Sequence, residues 1–360
     1  MKILIITNHS YMLYRFRREL IAALQKDHEV VLSMPFVGHE GDFQAMGLKC
    51  INTDVDRRGI NPRTDLKLMK TYRDLLRKEH PDMVITYSIK PNIYAGLICG
   101  MMGIPYCSNV QGLGTAFQRK GLTQFVTLLY RSALKKAKVV FFENEGNARE
   151  FIDRHILPPE KITVLPGAGI NLQRYPLTPY PDNDPVRFLY LGRLMKEKGI
   201  DELFTAMGRL HEALGHRVIL DLVGFFDDDY KAQVDALVEA GIALFHGFQT
   251  EPTPYYAAAD CVVLPSYHEG LSNVLLEAAA IGRPVITSDI HGCKETVDAG
   301  VSGLLCRVKD PEDLYQKMLQ MANSSRDDRA KMGLAARRKV EREFEKDMVV
   351  AKTVAAIFSK

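Results

Sequence analysis

Hydrophobic positions along the chain fall into short, nearly unbroken apolar runs, with helically spaced stretches between them. In the first half the runs cover residues 2–7, 29–33, 49–53, 83–86, 106–109 and 139–142. Helical patterns over 11–26, 64–79 and 122–136 separate them. Past residue 185 the alternation restarts, with strands at 186–191, 218–223, 243–246, 261–264, 284–287 and 303–306. Helices are expected near 200–214, 229–240, 273–281, 311–321 and 327–343, with a last one over 346–358. Strands that read as continuous apolar runs are buried on both faces, which predicts parallel sheets covered by helices. With right-handed crossovers this is an α/β protein with a Rossmann-like sheet in each half. Residues 166–185 carry Pro166, Pro176, Pro179, Pro181 and Pro185 with little periodicity, which reads as a linker. The expected division is therefore one domain over 1–172, a second over 173–345, and a helix over 346–360, whose packing back on the first the sequence alone does not decide. Two sheets joined this way face a central cleft at the carboxyl ends of their strands, where ligands bind in such folds.

The length of 360 residues suits two domains, and 46% hydrophobic with 25% charged residues excludes a disordered or fibrous chain. A net charge of +3 argues against a nucleic-acid binder. The six cysteines (Cys50, Cys99, Cys107, Cys261, Cys293, Cys306) are scattered, which argues against disulfides or a zinc site and for a reduced, cytoplasmic compartment. The apolar run after Met1 is short and gives way to Thr7-Asn8-His9-Ser10, so it reads as a first strand and not as a secretory leader. The longest uncharged stretch, 91–118, is broken by prolines and glycines and reads as a buried helix, a strand and a glycine loop.

Charge changes this picture. Up to residue 172 there are 24 basic and 16 acidic residues, and beyond it 23 and 28. The basic excess includes Arg15, Arg17, Arg18, Arg57-Arg58, Arg119-Lys120 and Lys135-Lys136-Lys138. Two readings stand: solvated helix faces, or a surface that meets anionic lipid or phosphate. The segment 122–138 joins an apolar face to a basic end, as interfacial helices do and as any core-facing surface helix can.

The chemistry gathers in the second half. Gly192-Arg193-Leu194-Met195-Lys196-Glu197-Lys198-Gly199 follows a strand and precedes a helix. Arg193 offers a planar fork and Lys198 a point charge, and together they can hold a diphosphate beside a helix N-terminus. His268-Glu269-Gly270-Leu271-Ser272-Asn273-Val274 follows the strand at 261–264. Ser272 or Asn273 can cap the next helix, and the amides of 271–274 would then point at an anion or sugar. Glu269 lies in that loop. Glu277 sits one turn into an otherwise apolar helix, where a carboxylate needs a partner. Each acid can accept hydroxyl hydrogen bonds from a sugar or ribose.

Arg193 with Lys198, followed by Glu269 and Glu277 at Glu-x7-Glu spacing, resembles the retaining glycosyltransferases of family 4, which have the GT-B fold. The likeness extends to Thr86-Tyr87-Ser88-Ile89-Lys90-Pro91-Asn92, Val110-Gln111-Gly112-Leu113-Gly114 and Phe142-Glu143-Asn144-Glu145, similar to the branch that builds bacterial capsule, O-antigen and lipid-linked glycans. The resemblance implies a catalytic set of Arg193, Lys198 and Glu269. It implies a donor site of Glu277 on the ribose, Gly270, Leu271, Ser272, Asn273 and Val274 on the sugar, Gly192 in the diphosphate loop and Phe248 by the base. The donor would be a UDP-sugar, with no metal and no cofactor. Asn8, His9, Arg15, Lys90, Asn92 and Gln111 would face a polyprenyl-diphosphate-linked glycan acceptor, with a peripheral contact to the inner membrane surface. Many members carry a histidine where this chain has Gln111, which cannot act as an acid or base. A front-face reaction, in which the leaving diphosphate accepts the acceptor's proton, is therefore expected.

Asp227-Asp228-Asp229 contains an Asp-x-Asp similar to that of metal-dependent glycosyltransferases of another fold; it reads instead as the acid-rich start of a helix. No Gly-x-Gly-x-x-Gly follows the first strand, against a dinucleotide oxidoreductase. A UDP-sugar 2-epimerase of the same architecture and a catalytically silent nucleotide-sugar binder remain as alternatives.

Overall fold

The computed structural model describes residues 1–55, 61–113 and 122–359. The expected positions Arg57, Arg58, Gly114, Arg119 and Lys120 lie outside them. The chain forms two compact units, one of Met1–Gly169 with Asp347–Lys360, the other of Ile170–Lys346.

The first unit holds β1 (Lys2–Ile6), β2 (Glu29–Met34), β3 (Lys49–Asn52), β4 (Met83–Tyr87), β5 (Tyr106–Val110), β6 (Val139–Phe142) and β7 (Ile162–Val164). All pair in parallel in the order β3-β2-β1-β4-β5-β6-β7. Side chains alternate across the sheet. Leu4, Ile6, Val84 and Val140 enter one core, and Ile3, Ile5, Ile85 and Phe141 enter the other, so both faces are apolar. The helices of this unit are α1 (Ser10–Gln25), α2 (Glu40–Ala45), α3 (Pro62–Glu79), α4 (Gly96–Met102), α5 (Leu122–Leu134) and α6 (Glu145–Asp153). Asn61 accepts from the Arg63 amide with Pro62 at the first helical position, and Asn144 accepts from the Asn147 amide; each satisfies an orphan donor of its helix start. A π-helical turn, Pro91–Ala95, leads into α4.

The second unit holds β8 (Val186–Leu191), β9 (Val218–Val223), β10 (Ala243–Phe245), β11 (Cys261–Leu264), β12 (Val285–Ser288) and β13 (Gly303–Cys306), in the order β10-β9-β8-β11-β12-β13. Its helices are α7 (Ile200–Leu214), α8 (Lys231–Glu239), α9 (Thr253–Ala258), α10 (Asn273–Ile281), α11 (Pro311–Asn323) and α12 (Arg326–Glu343). The strand order reverses direction between β8 and β11. That is the topological switch point, where the loops leaving two neighbouring strands diverge and can receive a ligand.

The final helix, α13 (Lys346–Phe358), belongs to the first unit. Ile357 is fully buried in that core, the Phe358 ring lies 4.9 Å from His28, and Lys352 Nζ donates to the Val164 carbonyl at 2.9 Å. The proline-rich run is not a loose tether. Tyr180 OH donates to the Asp260 carbonyl at 2.6 Å, and Arg326 Nη2 donates to the Tyr180 carbonyl at 2.8 Å. All six cysteines are free thiols, and five are buried. Among the described residues no helix is long and apolar enough to cross a membrane.

Candidate functional site

In the second unit the two motif loops leave the carboxyl ends of β8 and β11. They are forced together by a glycine. Gly199 has φ +72°, and a Cβ there would lie 2.1 Å from the Pro265 carbonyl oxygen, so only glycine lets the backbones approach. The Tyr267 amide donates to the Glu197 carbonyl at 2.9 Å and closes the contact. Lys198 Nζ then meets Glu269 Oε1 at 2.5 Å, and Ser266 Oγ donates to the same oxygen at 2.8 Å. On the far side a Cβ at Gly292 would lie 2.7 Å from the Glu269 carbonyl oxygen, so this loop too is packed backbone to backbone.

The Ser272 amide donates to the Gly292 carbonyl at 2.8 Å. That corrects the expectation for this amide: it is spent on the fold and does not face a ligand. Ser272 Oγ caps α10 by accepting from the Leu275 amide at 3.4 Å. Among the described residues no acceptor meets the Asn273 and Val274 amides, the first two of the helix. The Leu271 side chain is buried in the core, whereas Gly270 is half-buried.

Arg193 follows Gly192, and its carbonyl accepts from Tyr190 OH at 2.6 Å. Its guanidinium, 45% exposed, pairs with Asp227 Oδ2 at 2.6 Å. Asp228 Oδ2 accepts from the Lys196 amide at 2.8 Å. The acidic run was expected at a helix start, but α8 begins later and the two acids instead hold the Arg193 loop. The cause is the parallel pairing of β8 with β9, which brings both carboxyl-end loops side by side. Among the described residues no group of His, Cys, Asp and Glu could hold a metal ion.

Glu277 is buried, 4% exposed, and has the partners its apolar helix demanded. Tyr175 OH donates to Oε1 at 2.8 Å and Tyr256 OH to Oε2 at 2.9 Å. Neither tyrosine was foreseen, because Tyr175 lies 102 residues away inside the proline-rich run. Phe248 is exposed beyond β10, edge-on to Phe225 with ring centroids 6.0 Å apart. Beside it His246 Nε2 lies 2.7 Å from Asp221 Oδ1.

His268, next to Glu269, is exposed; partial desolvation and then the Lys309 charge hold its pKa below the ordinary histidine value, an effect that solvent screens. The unfolded chain therefore binds the proton more readily. This group's contribution to stability is intact above about pH 6.5 and is lost as pH falls through the lower folded value. Thermal melts between about pH 5 and 7 are expected to show a smaller acid-side loss for His268→Gln than for the natural chain.

In the first unit the expected acceptor residues divide. Asn8 and His9 sit half-buried at the carboxyl end of β1, with Arg15 half-buried on α1 and Gln111 half-buried after β5. Gln111 Nε2 lies 3.4 Å from Met12 Sδ. Lys90 and Asn92 are corrected. Lys90 Nζ is paired with Asp65 at 2.8 Å, both groups largely buried. Asn92 is 1% exposed: it accepts from Thr86 Oγ1 at 2.7 Å and donates to the Asn109 carbonyl at 2.8 Å. Asn92 lies on the π-helical turn and Lys90 just before it, and both side chains are spent on partners within the unit, so position after a strand did not mean exposure. Arg17, counted with the basic surface, is buried against Glu143 at 2.6 Å and the Tyr87 ring.

Two doubly wound parallel sheets, with cation-bearing and acid-bearing loops meeting at the switch point of the second, have the GT-B fold class. Residues 14–174 match the family model described as Glycosyltransferase Family 4, and residues 185–324 match that described as Glycosyl transferases group 1. The chain belongs to glycosyltransferase family 4. It is 28% identical, over 85% of both chains, to the N,N'-diacetylbacillosaminyl-diphospho-undecaprenol alpha-1,3-N-acetylgalactosaminyltransferase of Campylobacter jejuni. It is 25% identical to the capsular polysaccharide biosynthesis glycosyltransferase CapM of Staphylococcus aureus, over 81% of this chain and 80% of that one. The crystal structure of Anabaena HepE in complex with UDP and glucose superposes with a TM-score of 0.82 over 99% of each chain at 16% identity, a likeness of fold.

Proposed function

We propose that this protein moves a hexose or N-acetylhexosamine, with retention of configuration, from a UDP-sugar to a polyprenyl-diphosphate-linked glycan in bacterial surface polysaccharide synthesis. The meeting of Lys198 and Glu269 at the switch point, from loops 71 residues apart, carries the reading. Arg193 and Lys198 hold the donor diphosphate, Glu269 and the Asn273 and Val274 amides hold the sugar, and Glu277 holds the ribose. Asp227 and Glu269 occupy the two cations here, so an entering diphosphate exchanges phosphate oxygens for carboxylate oxygens. The departing diphosphate accepts the acceptor's proton while the cations stabilise its growing charge, and Gln111 only hydrogen-bonds. The Campylobacter relative, whose name carries a diphospho-undecaprenol acceptor, supports the acceptor class.

The enzyme works in the cytoplasm, and Phe125 and Leu128, exposed on α5 near Arg131, Lys135 and Lys136, form its peripheral contact with the membrane. The test is a screen of UDP-sugars with a polyprenyl-diphosphate sugar acceptor. Acceptor-dependent UDP release supports the reading, an epimerised sugar without acceptor makes the protein an epimerase, and neither makes it a binder. Activity in that assay is expected to persist in EDTA; a rate lost and restored by manganese would return the Asp227–Asp229 run to a metal role.

A further inference from the structure

Glu277 is buried in its helix, and its carboxylate is held by two phenolic hydroxyls, one on each oxygen. From this geometry we propose that Tyr175 and Tyr256 are positioning residues that aim Glu277 at the ribose hydroxyls and thereby make the donor site selective for ribonucleotide over 2′-deoxyribonucleotide sugars. This rests on the ribose role of Glu277 given above.

The argument starts from what a carboxylate can do. It accepts only, at about four lone-pair sites, so two tyrosine hydroxyls do not exhaust it and ribose hydroxyls can donate to it as well. Its plane is the variable that matters, because a diol is met only when both oxygens face it. A hydroxyl donor on each oxygen fixes that plane. The tyrosines are themselves immobile. Tyr175 is 3% and Tyr256 0% exposed. Arg283 Nε donates to the Tyr256 carbonyl at 3.1 Å. Arg337 Nη1 donates to the Tyr175 carbonyl at 3.0 Å and to the Ala280 carbonyl at 2.6 Å, tying Tyr175 to the helix that carries Glu277. Each tyrosine is thus anchored by its backbone and reaches Glu277 by its only polar side-chain atom. A site built to accept a hydroxyl rejects a ligand that lacks it, since the acceptor is left buried and unpaired.

The experiment measures binding of UDP, 2′-deoxy-UDP and 3′-deoxy-UDP by calorimetry to the natural protein and to Tyr175→Phe, Tyr256→Phe and Glu277→Ala, with a thermal melt of each. The natural protein is expected to bind UDP about tenfold or more tightly than 2′-deoxy-UDP. In each Phe variant UDP binding weakens about tenfold while 2′-deoxy-UDP binding barely moves, so the ratio collapses. A general structural loss would weaken both ligands equally. An unchanged ratio in both folded Phe variants overturns the positioning role and leaves the ribose reading intact. A natural protein that binds all three ligands alike, with Glu277→Ala no different, removes the ribose reading and this proposal with it. Failure of both Phe variants to fold assigns the hydroxyls to stability and also overturns it.

Discussion

Lys198→Ala is expected to lower kcat by about 10²–10³-fold, the scale for removing one charge-stabilising donor. Two effects act together. In the proposed reaction the leaving diphosphate then has only the Arg193 fork to stabilise its developing charge, and a planar fork does not replace a point charge. Glu269, a largely buried carboxylate, also loses its ammonium partner. Arg193→Ala removes a half-exposed charge from the same diphosphate and should fall at the lower end of that range. Steady-state UDP release checks both, and near-natural turnover for Lys198→Ala would remove it from the catalytic set.

Arg283→Met is expected to destabilise the second unit by about 3–5 kcal/mol, the cost of breaking a buried charged network from one side. Arg283 is fully buried. Its guanidinium donates to the carbonyls of Pro179 at 2.9 Å and Ala257 at 2.7 Å and to Thr178 Oγ1 at 2.8 Å, besides Tyr256 and Ile281. Burial pulls its pKa down to about 10, still well above neutrality, so the group folds charged. Methionine fills the volume but takes the donor from the Pro179 and Ala257 carbonyls, each of which then costs free energy, whereas the Tyr256 carbonyl keeps the Ala259 amide and the Ile281 carbonyl the Thr178 amide. Lysine restores charge but not the fork and should recover only part. Urea unfolding followed through the second unit decides it; a midpoint unchanged in Arg283→Met would mean that these carbonyls find other donors.

Much of the architecture could be read from the chain because strands buried on both faces leave continuous apolar runs, and twelve of the thirteen strands among the described residues sit where such runs lie. The exception, β7, has three half-buried residues and too little pattern to stand out. The helices α2 and α9, of six residues each, were missed for the same reason of length, and the nine-residue α6 was missed as well. In the site, the loops around Lys198 and Glu269 were visible because each is a compact motif between a strand and a helix. What holds them was not. Gly292, Tyr175 and Asp227 reach the site only through the fold, and nothing near them in the chain marks it. Lys90 and Asn92 were misjudged because their place after β4 suggested a rim, whereas the π-helical turn spends them inside the unit.

Since Ile357 and its helix close the core of the unit that the first 169 residues begin, that unit cannot be completed in the order in which it is synthesised. The last helix of the amino-terminal unit is made after the whole of its successor, so burial of Ile357 has to wait for synthesis of the second unit.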